Sequence, residues 1–494
     1  MTNDLTGRLA CAARRVNLGA AAAISLYFFI LPGLSVLRDL ADPALRSDAI
    51  PRAAWRLFED LTPRYERWAR GRIGSGKAES LALHEIAGTE WPLFGSVFYL
   101  WSVESLQEDW ERRANPAGPA PREFARGAVE AATDLVLDPG HAAWVRLHWG
   151  DDYLHRENVF YRMLLISAMT SHRRLTGDAR HRPMLREQVE TLSAELDRSP
   201  HGILNDYPGE CYPMDVLMAV AAIRRADAVL ETDHSAFAAR SLRGFQGARL
   251  DPRGLPPYVA DPVRGVAFGA ARGCGISYAF MSAPELWPDI ARDWYARYEQ
   301  WFWQEKYGLR GFREFPRDLG GGDWYMDVDA GPVLGGVGVS ASAFGVAGSR
   351  IMGRFDRAWP LAAQMTVFGW PLPNGTWLTP RILSNAANAP LLGEACILYS
   401  LTRRAAPGME IRTGGSLPPI VVLAWVVYFG LGFLFPAAEV HAVRRWRARG
   451  APVRAPALQF AIWLALVLAA AALAVRFGPT AGFAALFPAL LFPR

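Results

Sequence analysis

The chain has 494 residues, of which 51% are hydrophobic and 20% charged, and its formal net charge is +5. This length fits roughly two to four average domains, or one large domain with membrane segments. The hydrophobic share is ordinary for a globular protein and excludes a carrier built only of membrane spans. The positive charge lies mainly beside apolar stretches, so it does not indicate a nucleic-acid partner.

Three uncharged stretches are predicted to cross a membrane: residues 18–37, 416–436 and 456–475. Each has about 20 residues, which is enough for ~30 Å of hydrocarbon. A buried core helix is the alternative for each, and a signal peptide for the first, although no Ala-x-Ala cleavage pattern directly follows it. Residues 481–493 are apolar but contain Pro488, which favours an interfacial or re-entrant segment over a fourth span.

Basic residues predict the orientation of these spans. They precede the first span and lie between the last two, at Arg8, Arg14, Arg15, Arg444, Arg445, Arg447, Arg449 and Arg454. Excess Lys and Arg stays in the cytoplasm, and three spans put both groups on that side. The sequence therefore predicts a multi-pass inner-membrane protein with a large domain facing the periplasm or exterior. Its segments would be a cytoplasmic N-terminus (1–17), the large domain (38–415), a basic cytoplasmic loop (437–455) and an apolar tail (476–494).

The large domain is predicted to be mainly α-helical, because apolar residues recur at three- and four-residue spacing and strand signals are few. The predicted helices include 77–113, 121–136, 156–177, 182–198, 213–231, 234–247, 274–283, 286–306, 338–352, 356–367 and 389–403. About a dozen helices without a repeat of fixed period favour an α/α toroid over a solenoid.

The densest polar cluster of the domain directly precedes the helix predicted at 213–231. It comprises Asn205, Asp206, Tyr207, Glu210, Cys211 and Asp215. Asp206, Glu210 and Asp215 are the predicted acid/base set, since a buried carboxyl with a raised pKa can give or take a proton. The structural alternative is helix capping by Asp215 and a turn at Pro208-Gly209.

The glycine-rich loop GGGDWYMDVDAGP carries Asp327 and Asp329. Glycines allow a tight turn and a close approach to a ligand, so both carboxylates are predicted to lie opposite the acid/base set. A solvated loop is one alternative, and a calcium site is another, but the loop lacks the full EF-hand spacing. Arg272 is predicted to orient the substrate through its planar guanidinium, with a structural salt bridge as the alternative.

Other side chains are predicted to bind substrate or to hold the loops that do. They are Glu157, Asn158, Tyr161, Tyr207, Cys211, Glu314, Trp324, Arg381 and Asn385. The 18 tryptophans form either an aromatic core or a pocket wall for a sugar ring or an isoprenoid chain. No HExxH, GxSxG, P-loop or dinucleotide motif occurs, so neither a metal nor a cofactor is predicted. A disulfide among Cys211, Cys274 and Cys396 is left open.

Four segments resemble, in the same order, the linalool dehydratase/isomerase family. They are WGDDYLHRENVFYRMLLISAMTSHRRLTGDARH (149–181), HGILNDYPGECYPMDVLMAVAAIRRAD (201–227), DVDAGPVLGGVGVSASAFGVAGSRIMG (327–353) and TPRILSNAANAPLLGEACILYSLT (379–402). The resemblance covers residues 80–405 and implies an (α/α)6 barrel. The family's dehydratase uses two cysteines and a histidine, whose positions here hold Asn205, Met214 and Leu164. Cys211 lies in the same loop but out of register, so the family's catalytic set does not carry over.

Three functions follow from this reading. The first is a membrane-anchored lyase or isomerase that acts by acid/base chemistry on a hydrophobic or lipid-derived, isoprenoid-like alcohol. The second is a glycan-active hydrolase or lyase on the same toroid, which requires two carboxyls ~5–5.5 Å or ~6.5–9.5 Å apart. The third is a non-catalytic binding or assembly protein, which predicts a collapsed pocket with the candidate acids paired to arginines rather than facing a cavity. A homo-oligomer is compatible with all three.

Overall fold

The computed structural model describes residues 2–81, 85–114, 118–320, 322–327, 330–449 and 456–492. The protein is mainly helical, with 68% helix and few strands, so this part of the sequence prediction is confirmed. The chain divides into two compact units. The membrane unit comprises Met1–Arg38, Trp370–Thr376 and Val421–Arg494, and the large unit comprises Asp39–Gly369 and Trp377–Ile420.

The first long helix consists of α1 (Thr2–Ser25), a π-helical turn (Leu26–Ile30) and α2 (Leu31–Leu40). Its part from Cys11 to Leu40 is long and apolar enough to cross a membrane. This part contains the stretch predicted at 18–37 and extends it at both ends.

The π-helical turn is explained by Pro32, which follows it in the sequence. Proline has no backbone N–H, so the Phe28 carbonyl loses its regular donor four residues on. The indole Nε1 of Trp370 donates to that carbonyl at 2.7 Å instead. Trp370 belongs to the membrane unit through the short segment Trp370–Thr376, so this hydrogen bond explains why the segment stays there.

We expect Trp370→Phe to lower the stability of the membrane unit by about 1–3 kcal/mol, the cost of a buried polar group left without its partner. Phenylalanine keeps an aromatic ring near Tyr428, on which Trp370 stacks with ring centroids 3.9 Å apart. Trp425→Phe is the matched control, because the buried Trp425 Nε1 makes no hydrogen bond within the described residues. Thermal unfolding in detergent measures both variants, and equal losses would contradict this role of the indole.

The large unit contains sixteen labelled helices among its described residues. They are α3 (Arg52–Gly74), α4 (Ile86–Glu111), α5 (Pro121–Phe124), α6 (Arg126–Leu137), α7 (Ala143–Trp149), α8 (Val159–Thr176), α9 (Arg182–Arg198), α10 (Pro213–Leu230), α11 (Ser235–Ser241), α12 (Gly273–Ala279), α13 (Ala283–Leu286), α14 (Pro288–Phe302), α15 (Val339–Ile351), α16 (Phe355–Gly369), α17 (Leu378–Leu383) and α18 (Leu392–Thr402). The helix predicted at 182–198 has these bounds in the structure. The helix predicted at 77–113 begins only at Ile86, and α3, α7 and α17 were not predicted.

Six of these helices form a closed ring of contacts, called here the helix ring. In order around it are α4, α8, α10, α12, α15 and α18, and α18 contacts α4 again. Both α6 and α9 pack against two consecutive ring helices, and α16 packs against α15. The ring helices are apolar on most of their surface. In α8, for example, all residues from Val159 to His172 are buried.

Seven short strands form three antiparallel sheets among the described residues. The strands are β1 (Val259–Asp261), β2 (Val266–Phe268), β3 (Trp303–Lys306), β4 (Leu309–Phe312), β5 (Trp324–Asp327), β6 (Gly331–Leu334) and β7 (Val337–Gly338). The sheets are β1–β2, β3–β4 and β5–β6–β7. All seven lie in the connections between ring helices α10, α12 and α15.

The chain ends in α19 (Pro419–Arg449), α20 (Pro456–Phe477) and α21 (Pro479–Leu486), followed by a 3-10 turn. Two segments, Pro419–Arg445 and Leu458–Phe477, are long and apolar enough to span, which makes three candidate spans among the described residues. The last apolar helix, Pro479–Leu491, covers only about 20 Å at 1.5 Å per residue. It is therefore too short for a fourth span, as the sequence suggested.

Candidate active site

The predicted site residues lie just before, or in the first turn of, the ring helices. Glu157 and Asn158 precede α8, Asp215 is in the first turn of α10, and Arg272 precedes α12. Side-chain contacts join these starts, because the Tyr207 hydroxyl before α10 donates to Glu90 in the first turns of α4. These residues meet at one end of the helix ring, and this end is called here the rim.

Asp206 is the most deeply buried acid of the predicted set, with 1% of its surface exposed. It sits in a tight loop, since its N–H donates to the Glu210 carbonyl at 2.8 Å. Its Oδ2 accepts the Tyr212 N–H at 2.7 Å. Its Oδ1 has no hydrogen bond of good geometry from any described residue. The carboxyl is thus held in place by the backbone of its own loop.

Burial raises the pKa of Asp206 well above its ordinary value, and the charges of Asp215 and Glu90 raise it further. The amides of Tyr212 and Phe160 oppose that shift without cancelling it. Burial and the neighbouring carboxylates therefore both favour the protonated form of Asp206. Asp206, Asp215 and Glu90 are called here the acid cluster.

Tyr207 and Cys211 flank the acid cluster. Burial, followed by the charge of Glu90, raises the pKa of the Tyr207 hydroxyl. Burial and then Asp206 raise the pKa of the Cys211 thiol, so this cysteine stays protonated rather than becoming a nucleophilic thiolate. Glu210 is exposed, and its Oε2 accepts the Tyr212 hydroxyl at 3.0 Å. The structure therefore places Glu210 at the outer edge of the loop.

Three other predicted residues hold the rim loops in position. Glu157 Oε2 accepts both the backbone N–H and the side-chain amide of Asn205, at 2.8 and 2.7 Å. Asn158 has a left-handed φ of 30° and donates to the Tyr153 carbonyl at 3.2 Å. Tyr161 is buried, and its hydroxyl donates to the Val136 carbonyl at 3.0 Å. These contacts are structural, and a binding role for the three residues stays a prediction.

A second group of charges centres on Arg272. Its Nε donates to Glu314 Oε1 at 2.7 Å, and its Nη2 lies 2.9 Å from Asp327 Oδ2. Burial raises the pKa of Glu314 to about 6, against the lowering effect of Arg272. The Cys274 thiol also donates to Glu314 Oε1, at 3.1 Å. Arg272, Glu314 and Asp327 are called the Arg272 cluster.

Gly273 allows the Arg272 cluster to close. Its N–H donates to the Glu314 carbonyl at 2.8 Å. A Cβ at this position would lie only 1.9 Å from the Arg313 carbonyl oxygen, so any other residue would push the two segments apart. Glycine at position 273 is therefore needed for this close backbone contact.

Aromatic side chains connect the two clusters. The Tyr212 and Tyr258 rings are 5.4 Å apart at their centroids, and the Arg272 guanidinium lies 4.5 Å from the Tyr258 ring centroid. The backbone of Cys211 pairs with Ala260 in an antiparallel bridge. The acid cluster and the Arg272 cluster thus belong to one stretch of the rim.

Below the rim, the ring helices present aromatic side chains to one another. Phe94 lies 5.6 Å from Tyr278, and Tyr278 lies 6.1 Å from Phe344, measured between ring centroids. Phe94 also stacks on Phe160 at 5.5 Å. Burial, followed by the charge of Asp215, raises the pKa of Tyr278, which places Asp215 next to these rings. The acid cluster therefore borders an aromatic surface on which Phe94 and Phe344 are only half-buried.

The remaining predicted residues make contacts of their own or are exposed. Arg381 Nη2 lies 3.2 Å from Glu394 Oε2, and the Asn385 side chain accepts the N–H of Ala387 at 3.1 Å in a turn. Trp324 is exposed. Asp329 lies outside the described residues.

Sequence reasoning missed several residues of the rim. They are Glu90, Tyr258, Cys274, Tyr278 and Tyr325. Glu90 lies far along the chain from Asp206, and no motif joins the two, so only the packing of α4 against the rim loop brings them together. Cys11, Cys211, Cys274 and Cys396 are all free thiols.

No family model matches the chain, and no curated protein is similar to it.

Proposed function

We propose that this protein is a membrane-anchored enzyme that removes or moves water on a neutral, hydrophobic alcohol by acid/base catalysis. The observation that carries the proposal is the buried carboxyl of Asp206 beside Asp215, bordering an aromatic surface. A protonated acid in such a setting is suited to give its proton to a hydroxyl group.

The reaction assigns one role to each acid. Asp206 donates its proton to the hydroxyl oxygen of the substrate, the C–O bond breaks, and water leaves. The carboxylate of Asp215 takes a proton from the adjacent carbon, and the C–H electron pair forms the double bond. Readdition of water at another carbon would give an isomer. Phe94, Tyr278 and Phe344 would hold the hydrocarbon part of the substrate and keep bulk water out.

The Arg272 cluster favours a neutral substrate over an anionic one. Its single guanidinium is already matched by Asp327 at 2.9 Å and by Glu314 at 2.7 Å. A phosphate or carboxylate would meet two acids there, whereas a hydroxyl can donate to either of them. An isoprenoid-like alcohol fits this charge balance better than a phosphorylated lipid intermediate.

The proposal also covers the type of helical barrel and the relationship of the chain to a known family. The closed helix ring, with further helices packed on it, supports an (α/α)6 barrel like that of the linalool dehydratase/isomerase family. The three candidate spans and the flanking arginines support an inner-membrane location with the large unit on the periplasmic side. Without the family's cysteines and histidine, the chemistry would pass to the carboxyls of the rim.

One contact distinguishes this proposal from a non-catalytic protein. In a protein that had lost its activity, the candidate acids would be paired with arginines, as Asp327 is with Arg272. Asp206 instead accepts a backbone N–H, and the charges near it are acidic. A buried acid without a counter-charge destabilises the fold. A loop with only a structural role would gain nothing from such an acid.

The test identifies small molecules that co-purify with the protein in mild detergent, by mass spectrometry. We expect a hydrophobic alcohol or its dehydrated product on the wild type, and its loss from the Asp206→Asn/Asp327→Asn double variant. Asp151→Asn, at an exposed rim position, is the control and should keep the ligand. A bound oligosaccharide would replace this function with glycan chemistry. No ligand on any form, with unchanged thermal stability, would favour a binding or assembly protein.

A further inference from the structure

Two hairpins of the large unit, β3–β4 and β5–β6, expose a cluster of apolar and aromatic side chains. Tyr307, Trp324, Met326 and Leu334 are 64%, 65%, 70% and 40% exposed. Trp324 pairs directly with Leu334 across β5 and β6, and Met326 follows Trp324 on the same face of β5. The Tyr307 ring centroid lies 6.4 Å from that of Trp324. These four side chains are called the hairpin face.

The hairpin face is joined to the start of a candidate membrane span. The Gly308 carbonyl, next to Tyr307, accepts the N–H of Ile420 in the first turn of α19 at 3.2 Å. Arg310 Nη1 donates to the Ser416 carbonyl at 2.6 Å and to its hydroxyl at 2.7 Å. The candidate span begins at Pro419, so the tip of the β3–β4 hairpin is hydrogen-bonded to the first turn of that candidate span.

We propose that the hairpin face inserts into the interfacial layer of the lipid bilayer beside the start of α19. Tyr and Trp are the residues enriched at that depth, because their rings combine an apolar body with a polar group. Met326 and Leu334 add apolar surface. The position of Arg310, whose guanidinium holds the chain at Ser416, also suits the boundary between headgroups and hydrocarbon.

A lipid surface explains this face better than a second protein does. A stable protein interface uses about 20–30 residues a side, whereas the hairpin face offers four side chains on two small hairpins. A bilayer needs no shape complementarity. The hydrogen bonds to Ile420 and Ser416 already keep the β3–β4 hairpin, which carries Tyr307, at the start of the candidate span. Insertion of the hairpin face therefore costs little additional ordering.

The opposite face of β5 belongs to the rim. Side chains alternate along a strand, so Tyr325 and Asp327 point away from Trp324 and Met326. Asp327 is in the Arg272 cluster, and the buried Tyr325 hydroxyl has no hydrogen-bond partner among the described residues. Burial and the nearby Glu314 raise the pKa of Tyr325 to about 12, so it stays a hydroxyl donor. On the proposed function, a lipid-dissolved alcohol would reach the rim across this one strand, with Tyr325 the first polar group that it meets.

The test places a photoreactive benzophenone amino acid at Met326 in protein reconstituted into phosphatidylcholine vesicles. After illumination, we expect a phospholipid mass added to the peptide that contains position 326. The same group at Asp289, 90% exposed in the first turn of α14, is the control and should give no lipid adduct. Position 334 serves as a second labelling site if the first variant folds poorly.

Equal lipid labelling at positions 326 and 289 would overturn the proposal, as would labelling of position 326 only within the chain. Crosslinking to a second copy of the chain would make the hairpin face a protein interface and would overturn it too. The lipid adduct should persist in an Asp206→Asn background. Failure of the proposed reaction and failure of membrane insertion are therefore separate outcomes.

Discussion

Asp206→Asn is expected to make the protein more stable at pH 7 and to flatten the dependence of its stability on pH. The pKa of Asp206 is raised in the folded protein, so the folded state binds the proton of this carboxyl more tightly than the unfolded chain does. Its stabilising contribution is complete below about pH 4, the range of an unfolded aspartate, and is lost as pH rises through the folded pKa. One proton accounts for a slope of up to about 1.4 kcal/mol per pH unit.

Asparagine removes this titration and can still accept the Tyr212 N–H through its side-chain oxygen. Thermal unfolding between pH 5 and pH 8 measures the effect. In the wild type the melting temperature should fall relative to the variant as pH rises, whereas exposed Asp151→Asn should follow the wild type. Parallel profiles for Asp206→Asn and the wild type would mean that Asp206 is ionised in the folded protein, and the proposed acid would be lost.

Glu394→Gln is expected to cost about 3–5 kcal/mol, the range for breaking a buried ion pair from one side. The Glu394 side chain is completely buried, lies 3.2 Å from both Arg64 and Arg381, and accepts the Trp377 N–H at 3.1 Å. Glutamine keeps the shape but removes the negative charge that faces both guanidiniums. The pKa of Arg64 is already lowered by burial, so little solvent is present to compensate.

Urea unfolding followed by tryptophan fluorescence measures this loss. Glu66→Gln is the control, since Glu66 pairs with Arg70 at 3.1 Å on an exposed helix surface. Surface pairs of this kind contribute about 0–1 kcal/mol. If both variants unfold at similar urea concentrations, Glu394 is not the electrostatic centre of this part of the large unit.

The helices that the sequence predicted well are those with clear local signals. Helix α10 begins at Pro213, as the proline at its start and Asp215 in its first turn indicated, and α9 has the predicted bounds. Helix α3 was missed because Pro63 lies in its interior and reads locally as a helix end. The seven strands have two to four residues each, too few for an alternating pattern to be recognised.

The site was predictable only where it is contiguous in sequence. The loop from Asn205 to Asp215 carries its own turn and helix-start signals, so its acids could be singled out. Glu90 could not be singled out, because it comes close to Asp206 only when α4 packs beside that loop. Arg272 was expected to face a substrate or to form a salt bridge, and the structure pairs it with Glu314 and Asp327.

Strand β5 has a consequence for how this protein can change over time. Its side chains alternate between the hairpin face and the Arg272 cluster, so a slip of one residue would exchange Trp324 with Tyr325 and Met326 with Asp327. An acid would then lie on the exposed face, and a methionine would replace the partner of Arg272. Insertions in this segment should therefore be tolerated only in pairs, while substitutions on the exposed face should be tolerated as long as they keep it aromatic or apolar.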